Sequence, residues 1–240
     1  GLDLVVSGPA ITAPGGHGDG TFALTASKPE EFAALVEQNV SNGADLIKIC
    51  ITGGVTDAKK KGEPGEVKMT EEQVKAACDR AHALGKRVAA HIQSPLGVSI
   101  AAKCGVDTIE HGASFGEEEA ALLKARGGAV VATYTPAYPY YKLPAEVTKL
   151  DDVRIYNSGV VLDGMTAAVK DAYAHGITVA MGTDASCPFS TQYGMWREVI
   201  YFAKLGGFGT KAALIAATLG GATALGLQDE TGSLEVGKRA

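Results

Sequence analysis

The chain has 240 residues, 46% hydrophobic, 20% charged and 6% aromatic, with a formal net charge of −5. Disordered chains are poor in apolar residues and strongly charged, so disorder is excluded, and an acidic balance speaks against binding nucleic acid by bulk charge. No run of about 18 uncharged apolar residues exists to span a membrane, and Gly1-Leu2-Asp3-Leu4 has neither the basic flank nor the apolar core of a signal peptide. The length is close to the ~250 residues of a single α/β barrel.

Short β-like runs alternate with helix-like runs along the chain. The first strand is expected at Leu4-Val5-Val6-Ser7, before a glycine-rich loop, Pro14-Gly15-Gly16-His17-Gly18-Asp19-Gly20. Ser27-Lys28-Pro29-Glu30 reads as a capping box opening a helix, with Phe32, Leu35, Val36 and Val40 at helical spacing and Gly43 as its stop. A buried strand over 45–51 leads to a polar loop over 53–68. Thr70 with Gln73 opens a second helix that Gly85 closes. Strands follow over 87–93, 107–112, 129–135 and 177–184, with helices over 95–103, 117–125 and 163–175 between them. A connection rich in proline and tyrosine, which includes Tyr134, precedes the 163–175 helix. Helices over 195–205 and 210–219 complete the run. Six strands, each followed by helical sequence, imply parallel pairing through right-handed crossovers. A complete barrel needs eight such units. The whole chain reads as one domain.

The four cysteines, Cys50, Cys78, Cys104 and Cys187, form no CxxC pair. That spacing gives neither a zinc ribbon nor a disulfide framework. Cys78 and Cys104 read as buried free thiols, which favours a reducing, cytoplasmic compartment and leaves secretion open.

In parallel α/β folds, function gathers at the C-terminal ends of the strands. Four polar residues there interrupt apolar runs. Lys48 alternates with Ile47, Ile49 and Ile51, which points it away from the isoleucine face and into the interior. A buried lysine is paired with a carboxylate, or is neutralised and open to carboxylation by CO₂. His91 and His111 each end a β run, one strand–helix–strand step apart, which favours metal ligation over two separate core histidines. Asp184 ends the last run, placed either to cap a helix or to ligate a metal and move a proton. Glu110 is expected to point away from the interior by alternation and to serve a structural ion pair.

This order of Lys, His, His and Asp resembles the metal-dependent amidohydrolase superfamily, and within it the imidazolonepropionase-related, prolidase-like branch that includes ochratoxin-type amidases. The matching stretches are Ala44-Asp45-Leu46-Ile47-Lys48-Ile49 with Thr52-Gly53-Gly54-Val55, Val88-Ala89-Ala90-His91, Gly105 to Gly112, and Met181-Gly182-Thr183-Asp184-Ala185. Two further stretches match, Gly15-Gly16-His17-Gly18 and Thr231 to Lys238, the latter leading toward a small β domain. The resemblance implies a distorted (β/α)8 TIM barrel with two zinc ions bridged by carboxylated Lys48. His91 and His111 would hold one ion. Asp184 would hold the other and act as general acid/base, with a metal-activated hydroxide attacking the amide. His17, Gln93 and Tyr134 would contact a dipeptide or N-acyl amino acid, and the branch is often multimeric, so a homo-oligomer is expected.

Two departures stand out. Branch members often carry a Tyr where Gln93 stands. The family also opens with a His-x-His pair on its first strand, which none of the five histidines forms. The chain is therefore expected to cover family strands three to eight, with the remainder supplied by a missing N-terminal segment or another polypeptide. The alternatives are hydrolysis of a cyclic amide of imidazolone or hydantoin type, and a non-catalytic barrel fragment acting in assembly. Phosphate binding at the glycine-rich loop finds little support, because no Lys-Ser or Lys-Thr follows it.

Overall fold

The computed structural model describes residues 4–239. Seven strands form one parallel sheet in the order β2-β1-β3-β4-β5-β6-β7. They are β1 (Ala10–Thr12), β2 (Ala23–Thr25), β3 (Ile47–Cys50), β4 (Val88–Ile92), β5 (Thr108–His111), β6 (Ala129–Ala132) and β7 (Thr178–Met181). β2 and β7 each have a single neighbour, so the sheet does not close among the described residues. This is the α/β architecture expected, with one strand more than predicted and a different start.

Residues 4–7 are not a strand. Their backbone runs beside the start of β3, where Val6 O accepts the Asp45 N–H at 2.7 Å and the Asp45 carboxylate accepts the Val6 N–H at 3.0 Å. The sheet begins instead with β1 and β2, three residues each, on either side of the glycine-rich loop. Runs that short carry too little alternation to be read from the sequence.

The helices are α1 (Pro29–Ser41), α2 (Glu71–Ala83), α3 (Pro95–Cys104), α4 (Glu117–Ala125), α5 (Tyr134–Lys142), α6 (Ala145–Thr148), α7 (Asp152–His175), α8 (Met195–Lys204), α9 (Gly209–Ile215) and α10 (Gly221–Leu225). A π-helical turn, Ala216–Gly220, joins the last two. Glu31, rather than Glu30, accepts the Ser27 and Lys28 N–H groups ahead of α1. The Thr70–Gln73 box caps α2 reciprocally, as expected. α7 starts eleven residues before the predicted 163, where the Asp151 carboxylate caps it through the Arg154 N–H at 2.9 Å. Residues 231–239 form turns, and no strand follows among the described residues.

The ladder sets Lys48 beside Ala89, Cys50 beside His91, His91 beside Glu110, and Val131 beside Ala180. Residues paired across parallel strands share a face. Ile47, Ile49, Val88, Ile92, Ile109 and Val130 face the helices as a fully buried core. On the opposite face, Ala89, Thr108, Val131 and Ala180 border a lumen cavity of about 560 Å³ that also receives Lys48 and Glu110. Cys50, Cys78 and Cys104 are buried free thiols, as predicted for the last two.

Candidate metal centre at the strand ends

β4 delivers His91 to the C-terminal end of the sheet, where it is 4% exposed and its Nε2 lies 3.1 Å from the Gly53 carbonyl. β5 delivers His111 by a less regular route. Strict alternation would turn His111 toward the helices with Ile109, but its φ is +67°. That left-handed conformation is uncommon for a residue other than glycine, and it turns the ring back toward its neighbour. The two imidazoles meet edge to face with centroids 4.7 Å apart. Glu110 itself obeys the alternation: with Ile109 on the helix face it falls on the lumen face, and the error lay in taking His111 as the inward-facing reference. The Glu110 side chain lies in the lumen with Lys48 and accepts the Thr108 hydroxyl at 2.7 Å, so the outward ion-pair role expected of it is corrected.

Asp184 lies on the loop after β7, three residues beyond the strand, also in a left-handed conformation (φ +48°). It lines a cavity of about 80 Å³ together with His17, His91, Gln93 and His111. Val55, Ala137, Tyr140, Val161 and Met165 form the apolar wall of that cavity. Cys187 Sγ lies 3.5 Å from Asp184 Oδ2, and burial, with the Asp184 charge, pushes the thiol up to about 12.

Burial holds His91 well below the ordinary imidazole range, with the positive charges of His17, His111 and Lys48 acting in the same direction. Burial also drives His111 down to about 4, aided by Lys48 and opposed by Asp184. Both rings are neutral at pH 7, the state in which imidazole binds metals. His111 Nδ1 is 2.6 Å from the Thr133 hydroxyl, which leaves Nε2 as the ring nitrogen for a ligand. A partner on one nitrogen that orients the other is the usual arrangement around metal-binding histidines.

His17 stacks on His91 with centroids 4.1 Å apart and planes 6° from parallel. Its Nδ1 sits 2.5 Å from the Asp57 carboxylate, which also accepts the Gly54 N–H at 2.9 Å. Burial pushes Asp57 up, but His17, the Gly54 N–H and Lys68 outweigh it and hold the carboxyl below its ordinary range. Gly54 makes room for the stack, since a Cβ there would lie 3.2 Å from both rings. The Gln93 side-chain oxygen accepts the Val55 N–H at 3.1 Å, which fixes that amide beside the cavity.

Two expected residues stand apart from this cluster. Lys48 projects into the lumen rather than the small cavity, although its charge reaches both histidines. Tyr134 is buried elsewhere: its hydroxyl lies 2.9 Å from Thr166 Oγ1 and it lines a separate cavity of about 160 Å³. Burial pushes that phenol up to about 12. The expectation that Tyr134 sits over the substrate is therefore not met by its placement. Sequence reading also missed Asp57, inside a polar loop with no periodicity, and Glu198, on an ordinary amphipathic helix. Glu198 is fully buried against the start of α5, and burial lifts its carboxyl to about 7 against the donors it accepts.

Among the described residues, no three His, Cys, Asp or Glu side chains converge closely enough to enclose a metal ion. The chemistry of the donors nonetheless fits a divalent cation, with two buried neutral imidazoles in contact and a carboxylate on the same cavity.

The amidohydrolase family model matches residues 1–240. The chain belongs to the amidohydrolase family. A crystal structure from Bifidobacterium longum, provisionally assigned as a prolidase, is 40% identical and superposes with a TM-score of 0.88, covering 99% of this chain and 58% of that one. A Xaa-Pro dipeptidase with methionine bound in its active site is 31% identical, with a TM-score of 0.78 over 98% of this chain and 60% of its own. Ochratoxinase of Aspergillus niger is 25% identical over 266 residues, which cover 100% of this chain and 54% of the enzyme. This amidohydrolase chain thus spans about half the length of that curated relative.

Proposed function

We propose that the protein hydrolyses a peptide-like amide bond in a dipeptide or N-acyl amino acid, using two zinc ions held around Lys48, His91, His111 and Asp184. The observation that carries this reading is the left-handed turn at His111, which brings two neutral imidazoles together on the cavity that Asp184 lines. Strain of that kind at a strand end is characteristic of functional sites. The names of the prolidase-type and dipeptidase relatives support the substrate class.

When bound, the ions would polarise the scissile carbonyl and acidify a water. His91 and His111 serve as neutral ligands. Without carboxylation, the positive charge of Lys48 disfavours protonation of both. Carboxylation reverses that sign and adds two oxygens that share one negative charge, a second anionic donor group beside Asp184. Asp184 takes the proton of the attacking water and returns it to the leaving nitrogen. His17, held by Asp57, and Gln93, held by Val55, orient the substrate's carbonyl or carboxylate. The apolar wall accepts a small uncharged side chain. The remaining ligands would come from outside this chain, from a further segment of the same protein or from another polypeptide.

The test is metal analysis and hydrolysis by the intact protein. Zinc retained after loading, a Lys48 peptide heavier by one CO₂ and cleavage of Xaa-Pro or N-acyl amino acids are expected. Turnover confined to imidazolone or hydantoin rings would move the assignment to cyclic amides. A folded protein that binds no zinc and carries unmodified Lys48 would refute this reading and favour the non-catalytic assembly alternative.

A further inference from the structure

Thr133 occupies the N-cap position of α5, yet its side chain caps nothing. A threonine there ordinarily accepts the N–H of the second or third helical residue. Its hydroxyl is instead engaged with His111 Nδ1 at 2.6 Å. The first two N–H groups of the nine-residue helix, from Tyr134 and Thr135, go to the two carboxylate oxygens of Glu198, each at 2.7 Å. The Thr135 hydroxyl donates to the same carboxylate at 2.6 Å. Glu198 lies in the first turn of α8, and no Lys, Arg or His pairs with it among the described residues.

We propose that Glu198 is a positioning residue: a helix cap supplied from α8 that frees the Thr133 hydroxyl to hold the His111 ring. The inference rests on the reading of His111 as a metal ligand. A carboxylate suits a helix N-terminus, where unpaired N–H groups and the helix dipole both favour negative charge. Without Glu198, buried N–H groups lose their acceptor, an unfavourable state. The N-cap hydroxyl, Thr133 Oγ1, is the replacement that standard capping geometry offers the Thr135 N–H. Rotating the Thr133 side chain to reach that N–H carries Oγ1 away from His111 Nδ1, and the ring is no longer fixed in one tautomer and orientation.

The experiment compares Glu198→Ala, Glu198→Gln, Thr133→Val and the Glu198→Ala/Thr133→Val double variant in the intact protein. The first readout is ¹⁵N NMR of the histidine rings in metal-free protein, with His111 assigned by its loss in His111→Gln. Glu198→Ala is expected to move the His111 nitrogens to the positions seen in Thr133→Val, and the double variant to add nothing. The second readout is zinc affinity, expected to fall by roughly 10–100-fold in either single variant and no further in the double. A folded Glu198→Ala protein with wild-type His111 signals, or losses that add in the double variant, would overturn the proposal. If Glu198→Ala does not fold, Glu198→Gln decides: with one acceptor oxygen kept, a partial shift in the same direction supports it and an unchanged signal refutes it. Absence of zinc binding in the wild type would defeat the metal-centre reading alone, because the ring signals still judge Glu198.

Discussion

The adjacent glycines Gly220 and Gly221 make a sharp test of how the C-terminal helices seat on the sheet. Both have ordinary helical φ, near −60°, so neither is required by backbone conformation. Alanine at such a position gains about 0.5–1 kcal/mol from reduced backbone entropy and better helix propensity. At Gly221 the nearest atom to an added Cβ is 3.9 Å away, an ordinary contact, so Gly221→Ala should stabilise by that amount. At Gly220 the Cβ would lie 2.1 Å from the Val179 carbonyl oxygen and 3.1 Å from its carbon, where ordinary contact begins at 3.4 Å. The obstacle is β7 backbone, which cannot rotate aside, so the π-helical turn must lift off the strand. Overpacking costs about 1–3 kcal/mol, and backbone overlap this deep belongs at the upper end. After the propensity gain, Gly220→Ala should lose about 2 kcal/mol, roughly thirtyfold in the folding equilibrium. Urea unfolding with unchanged slope measures both as midpoint shifts of opposite sign. A Gly220→Ala midpoint at or above wild type, or an equal fall in Gly221→Ala, would show that the turn does not bear on β7 as described.

Other outcomes follow from the site. Asp57 is held below its ordinary range in the folded protein, so its stabilising contribution is complete above the unfolded value of about 3.9 and is lost as pH falls through the folded value. Asp57→Asn should therefore cost about 1–2 kcal/mol near neutrality, with the gap to wild type closing below about pH 4; a gap constant down to the acid limit would refute a role for the charge. Tyr134→Phe removes one hydrogen bond to Thr166 and should lower stability by about 1 kcal/mol while leaving KM unchanged, whereas a large rise in KM would place the phenol on the substrate. Asp184→Asn should reduce kcat by about 10²–10⁴-fold with little change in unfolding midpoint, and retention of full activity would remove Asp184 from proton transfer.

Much of this was legible in the sequence because the sheet is parallel and buried. The runs that became β3 to β7 are apolar enough to stand out, and the polar residues that break them, Lys48, His91 and His111, are the ones that reach the lumen and its rim. Three kinds of information were hidden. The strands Ala10–Thr12 and Ala23–Thr25 are shorter than one useful period. The direction of the His111 ring depends on a single backbone dihedral that no residue pattern encodes, and counting alternation from His111 put Glu110 on the wrong face. Partnerships made across the fold, such as Glu198 with Tyr134 and Asp57 with His17, are set by packing between elements far apart in sequence. Tyr134 was misplaced for the same reason. As the first residue of a helix, its direction follows the α5 axis rather than the strand before it.

The left-handed conformations at His111 and Asp184 also bear on how a mutational scan of the centre should be read. Alanine at either position removes a functional group and places a poorly tolerated residue in a region that asparagine, aspartate, histidine and glycine accept more readily. An alanine scan would merge two losses, chemical and conformational, and would rank these positions above His91, whose φ is not among the positive ones. Asparagine keeps the backbone tolerance while changing the chemistry, and glycine keeps the backbone while deleting it. At these two positions, the pair of replacements separates what the side chain does from what its main chain must bear.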